Sequence, residues 1–469
     1  MIWLDAVEQA QSIRRREATS VDLVREYIDR IDRLDPALHS YVTVDASGAL
    51  EAAEEADMRI AQEPTDVGPL HGVAISVKDV IDVAGLPTTH SSKAFADNVR
   101  SADDPLVRRF RQAGLVVIGK TNIPEFCTSM TSSDLNGICC NPWDPERTPG
   151  GSSGGAAAAL AAGLCSIAHG TDGAGSTRVP AAFCGLVGLK PTRGLVSFGP
   201  EEGKAYFGTS EPGVIARSVR DAAALLDVMV GTGDPLSAWS PRPTDSYLEQ
   251  AVALCGQLRI AVTTSPPFGS VESECADAAV RVGALLESLG HHVVSGTPDW
   301  GVILQAALIP AEVPGAAGLV SPEHYELLEL RNRPIAQRLA GLTVAEHAQM
   351  VDLTRKSSAE FLTFWEDVDV LVSPTAGMLP PSVSWAPWEQ TTAEHMATFG
   401  TFPNFAQPFN LSGQPALSLP LAWSSSGLPI GVQLAGRRLS EADLLRLAAQ
   451  LEAALPWSSH HPPPPIGGD

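Results

Sequence analysis

The spacing of apolar residues changes period several times along this chain, and each change predicts an element. Through residues 3–33 the pattern is helical. Val21, Leu23, Val24, Tyr27, Ile28 and Ile31 fall on one face, and Thr19 with Asp22 gives a capping box. Two N-terminal helices packed on the body are expected there. At 72–77 (GVAISV) the pattern becomes a continuous β-branched run, which reads as a buried strand delivering Lys78 at its end. A second strand fits 115–118 (LVVI). Residues 156–164 have the highest helix propensity in the chain, so the preceding GGSSGG opens a helix. A short strand at 165–168 follows.

Further on, helical spacing recurs at 219–229, 275–289 and 441–455. Strands fit 259–263, 292–295, 368–372, 416–419 and 430–434. Strands alternating with helices predict an α/β fold, a large mixed or parallel β-sheet flanked by helices on both faces. No repeat or linker interrupts the pattern, so 1–457 reads as one domain. The Pro/Trp/Ser-rich segments 232–246 and 376–392 read as surface excursions, and 458–469 (SSHHPPPPIGGD) as a disordered tail.

Composition narrows the function classes. The chain has 469 residues, 44% hydrophobic and 18% charged, and no apolar run long enough to cross a membrane. Asp5 and Glu8 stand where a signal peptide needs positive and apolar regions, so a cytoplasmic location is expected. A net charge of −22 argues against nucleic acid as a partner, because phosphate contacts need clustered Lys and Arg. Seven cysteines without CxxC spacing predict reduced thiols, not disulfides or a zinc site. Neither a metal nor a cofactor is expected.

Candidate chemistry concentrates in 149–192. Ser152 and Ser176, both flanked by glycines, stand 24 residues apart, downstream of Lys78. A serine that attacks carbonyls needs a base and N–H groups to hold an oxyanion. Gly173, Ala174, Gly175 and Ser176 can point successive N–H groups into one concavity. A lysine ending an apolar run is partly buried, and burial lowers its pKa as a base requires. A hydroxyl such as Ser152 relays protons between the two. Each feature alone has a plain structural reading: a turn, a linker, a surface lysine. Their combination favours an amide hydrolase. Asp172 and Arg178 read as an ion pair fixing the loop. His71, His90 and His169 read as packing or hydrogen-bonding residues, since no GxSxG elbow accompanies them.

The chain resembles the amidase signature family almost end to end. The resemblance rests on GPLHGVAISVKD (68–79), GKTNIPEF (119–126), NPWDPERTPGGSSGG (141–155), GTDGAGSTRVPAAFCGLVGLKPT (170–192) and LSGQPALSLPLAWSSSGLPIGVQLAG (411–436). It implies Ser176 as acyl-enzyme nucleophile, Ser152 as a bridging serine after a cis peptide bond, and Lys78 as base. It further implies an oxyanion hole from residues 173–176, support from Ser153, and a layered core of ten or more mixed strands. Ala174 stands where many members have glycine. That variant, with FNLSGQPALSLP (409–420), resembles a branch containing 6-aminohexanoate cyclic dimer hydrolase-like enzymes. Cys127, Ser129 and Met130 fall where members line the substrate pocket. The expected partner is a small-molecule amide, aliphatic or aryl, and the candidate assembly is a homodimer. Two alternatives stay open: the glutaminase subunit of a tRNA-dependent amidotransferase, and a catalytically inactive binding protein of the same fold.

Overall fold

The computed structural model describes residues 1–63, 65, 67–197, 208–231, 245–306, 318 and 320–463. Its strands, in chain order, are β1 (Tyr41–Val44), β2 (Ala74–Lys78), β3 (Val116–Thr121), β4 (Ser132–Ser133), β5 (Gly137–Ile138), β6 (Ile167–Asp172) and β7 (Val187–Lys190). They continue with β8 (Glu211–Ala216), β9 (Arg259–Val262), β10 (His292–Ser295), β11 (Val370–Pro374), β12 (Ala416–Trp423) and β13 (Pro429–Gly436). Eleven of these form one mixed sheet in the order β1-β3-β2-β6-β8-β7-β12-β13-β11-β9-β10. β4 and β5 make a separate hairpin. β2 runs parallel to both β3 and β6, whereas β8, β7, β12 and β13 are paired antiparallel. Every residue of β2, β3 and β6 is buried, as in strands covered on both faces.

One apolar cluster runs from Ala6 to Trp457 and includes the N-terminal helices. The helix Ser20–Leu38 buries Leu23, Val24, Tyr27, Ile31, Leu34 and Leu38. Thr19 accepts from the Asp22 N–H at 3.0 Å, the threonine half of the expected box. This helix continues past the expected end at 33 and stops at His39, whose φ of 52° terminates it.

Two expectations need correction. The segment 376–392 is not a mere surface excursion. Ala376 and Ala386 are buried in an apolar cluster with Met130, Val179, Phe183 and Phe402, and Met378, Trp385 and Phe399 pack against it. Nor is 458–469 free from its start. The His460 ring stacks on Trp423 at 3.9 Å and that of His461 on Trp3 at 4.2 Å. Aromatic faces thus hold residues that composition assigns to a tail; 464–469 lie outside the described residues. Of the expected excursion 232–246, residues 232–244 also lie outside them. All seven cysteines are free thiols. Among the described residues no helix is long and apolar enough to cross a membrane.

Candidate active site

Because β2 and β6 are parallel neighbours, their C-terminal ends reach the same edge of the sheet. β2 delivers Lys78 there, and β6 delivers Thr171 and Asp172. Open α/β sheets place ligands outside such strand ends. Lys78 is fully buried. Its Nζ lies 2.7 Å from Ser152 Oγ and 2.8 Å from Thr171 Oγ1, with the Thr171 carbonyl oxygen at 3.4 Å. Burial holds the Lys78 pKa below the ordinary lysine value, against weaker opposing effects of Cys127 and Asp172.

Ser152 follows a cis Gly151–Ser152 peptide, as the resemblance implies. The turn has little room. A Cβ added at Gly151 would sit 2.3 Å from the Ser129 carbonyl oxygen and 2.7 Å from Met130 Cα. Ser129 and Met130, expected in the pocket, therefore back this turn directly. The helix Gly154–Ala161 begins immediately after it. Gly155 is required there because an added Cβ would lie 2.5 Å from Asn122 N and from Ser40 O.

The two serine loops are joined. Ser153 N–H donates to the Ser176 carbonyl at 3.1 Å. Ser153 Oγ donates to the Thr171 carbonyl at 3.2 Å and accepts from the Thr171 N–H at 3.3 Å. Ser176 itself is half-buried. Its loop hangs on Asp172, whose carboxylate accepts from the N–H groups of Gly175 at 2.7 Å and Thr177 at 3.2 Å. Arg178 reaches the same carboxylate through Nε at 2.9 Å and Nη2 at 2.8 Å, both side chains being wholly buried. Although desolvation opposes it, the Arg178 charge holds the Asp172 carboxyl far below the usual range. Arg178 Nη1 continues to the Ala406 carbonyl and Gln433 Oε1, and Asn404 Nδ2 donates to the Ala174 carbonyl at 2.7 Å.

Of the four residues expected to present N–H groups, Gly175 differs from the rest: its N–H is committed to Asp172. Its φ of 106° suits glycine, and an added Cβ would be 2.8 Å from Ala406 Cβ. Among the described residues, the N–H groups of Gly173, Ala174 and Ser176 meet no acceptor.

The histidines stand apart from this chemistry. His71 Nε2 is hydrogen-bonded to the Ala56 carbonyl at 3.0 Å, and the His90 ring packs edge-on against Phe95. His169 is buried with neither ring nitrogen partnered among the described residues, and burial pushes its pKa down to about 3. Thr171, which touches both Lys78 and Ser153, is a residue the motif reading passed over. Its place directly before Asp172 in TDGAGS was the signal available.

Comparison with known proteins bears on this arrangement. The Amidase family model matches residues 22–311 and 326–445. The chain is 36% identical to a 6-aminohexanoate-cyclic-dimer hydrolase of Pseudomonas sp. (strain NK87), over 98% of this chain and 97% of that one. It is 35% identical to an acylamidase of Rhodococcus erythropolis, again over 98% and 97%. A solved structure of 6-aminohexanoate cyclic dimer hydrolase complexed with substrate superposes with a TM-score of 0.90 at 34% identity. That match covers 98% of this chain and 99% of the other. With its sheet, its serine loops and its sequence all in agreement, the chain belongs to the amidase signature family.

Proposed function

We propose that this protein hydrolyses a carboxylic amide to a carboxylate and an amine or ammonia, through an ester formed on Ser176. The observation that carries the reading is the buried Lys78 amine 2.7 Å from Ser152 Oγ, on a turn tied by Ser153 to the Ser176 carbonyl. Burial favours the neutral amine, which can accept a proton. Ser152 passes its proton to Lys78 while taking the proton of Ser176, whose oxygen attacks the amide carbon. The oxyanion rests on the N–H groups of Gly173, Ala174 and Ser176, with Gly175 serving the loop through Asp172. The C–N bond then breaks, and the nitrogen leaves with a proton returned through Ser152. Water attacks the ester by the same route and releases the acid, restoring Ser176.

The substrate class in this reading is an aliphatic or aryl amide of medium size. Its support is the apolar cluster that joins Met130 and Val179, beside the two serine loops, to Met378, Trp385, Phe399 and Phe402. The names of the acylamidase and the cyclic-dimer hydrolase above agree with amide hydrolysis. A panel of short aliphatic, aryl and ω-amino amides, read out by released amine, tests the proposal. Ser176→Ala lowers turnover by at least about 10³-fold and Lys78→Ala by about 10²–10⁴-fold. Wild-type rates in purified Ser176→Ala refute it.

A further inference from the structure

Away from the two serine loops, a cleft of about 400 Å³ opens where the N-terminal segment meets the helices Val219–Val230 and Glu441–Ala454. It is of a size that takes a small molecule. Strand register sets it apart from the catalytic residues. β8 runs antiparallel to β6, with Glu211 opposite Asp172 and Ile215 opposite Ala168. Arg217, just past the end of β8, therefore lines the cleft at the sheet edge opposite to Lys78 and Asp172.

Five charged side chains line this cleft, and they do not cancel in pairs. Arg220 is shared between Asp5 and Glu8, the latter at 2.7 Å. Two charges are left over. The half-buried Glu452 accepts from the Val219 N–H, at 3.2 and 3.4 Å, and no described cation forms an ion pair with it. Burial, with Asp5 nearby, pushes its pKa up to about 7, as expected of a carboxylate short of counter-charge. The half-buried Arg217 gives Nη2 to the carbonyls of Leu160 and Cys165, at 3.0 and 2.9 Å. Its Cζ lies 5.7 Å from the centroid of the Trp3 ring. Its Nη1 is buried with no partner among the described residues, none of whose carboxylates pairs with this guanidinium.

A charge drawn out of water without its opposite is costly, and a ligand group of opposite sign removes that cost. Glu452 calls for a cation and Arg217 for an anion. A lone carboxylate ligand would also meet Asp5, Glu8 and Glu452, and a lone amine would leave Arg217 as it stands. The rest of the wall includes the apolar side chains of Val252, Ala449 and Trp457. We propose that this cleft binds an amino acid whose ammonium and carboxylate stand at opposite ends of an apolar chain. The ammonium pairs with Glu452, the carboxylate pairs with Arg217 Nη1, and the methylenes lie on the apolar wall. This site goes beyond the catalytic reading and does not rest on it.

Calorimetric titration of the full-length protein tests the proposal, at about pH 8, where Glu452 is largely ionised. The probes are β-alanine, γ-aminobutyrate and δ-aminovalerate, with butylamine and butyrate as singly charged controls. At least one of the three amino acids binds in a saturable isotherm, at least about tenfold more tightly than either control. Glu452→Gln keeps an oxygen for the Val219 N–H and weakens that binding at least about tenfold, as does Arg217→Gln. Glu452→Gln decides alone if Arg217→Gln does not fold. The proposal is overturned if none of the three amino acids binds, or if a control binds as tightly. Binding that is unchanged in Glu452→Gln lies elsewhere in the molecule and overturns it too. None of these outcomes bears on Ser176, whose assignment is tested by activity.

Discussion

Lys78 sets the pH dependence expected of this site. Desolvation penalises its ammonium, so the folded-state pKa lies below the ordinary lysine value. The base form therefore prevails above that pKa and is lost as pH falls through it. Of the groups nearby, His169 titrates only at about 3 and Asp172 is ionised well below neutrality, whereas burial brings both Lys190 and Glu211, on the far side of Asp172, to about 7. An acid limb in kcat/KM is the expected profile, and a profile that stays flat down to about pH 5 contradicts a lysine base. Lys78, Ser152 and Ser176 were legible in the sequence because motif and strand-end placement agreed. The Thr171 contact with Lys78 was not. It depends on the β2–β6 pairing, which a linear pattern does not display.

Among elements, the loop after β6 is fastened to the Arg178–Cys184 helix through one carboxylate. Asp172 serves Gly175, Thr177, Arg178 and Asn410 together. Asp172→Asn keeps the shape but leaves the Arg178 charge buried without its counterion. The expected loss is about 3–5 kcal/mol, read as a lower urea midpoint at unchanged m-value. A change under about 1 kcal/mol contradicts the fastening role.

The elements missed in the sequence have a physical reason too. β8 (EPGVIA) carries Pro212 and Gly213, and β7 (VGLK) carries Gly188, residues that argue against strands when read alone. Packing demands them. A Cβ at Gly213 would lie 2.4 Å from Thr177 Oγ1, and one at Gly188 would lie 2.6 Å from Ala181 Cβ. These strands pass directly beneath the Ser176 loop and its helix, so close approach decided their composition.

For the molecule as a whole, the sheet acts as a frame that gathers distant segments at one edge: strand end 78, turn 150–153 and loop 171–178. The alternation of strand-like and helix-like segments made the α/β class readable. β2 with the start of β3 reads as an apolar run, whereas β6 is buried throughout although His169, Gly170, Thr171 and Asp172 break any apolar pattern. The docking of 458–463 was not readable, since two histidines amid prolines show no periodicity. It becomes evident only once Trp3 and Trp423 are placed beside them. The central claim is that Ser176 is the nucleophile and Lys78, acting through Ser152, its base. Mapping a fluorophosphonate adduct by peptide mass spectrometry tests it most directly. The account predicts a single modified residue, Ser176, with labelling strongly slowed in Lys78→Ala. An adduct on another residue, or wild-type labelling in Lys78→Ala, would contradict it.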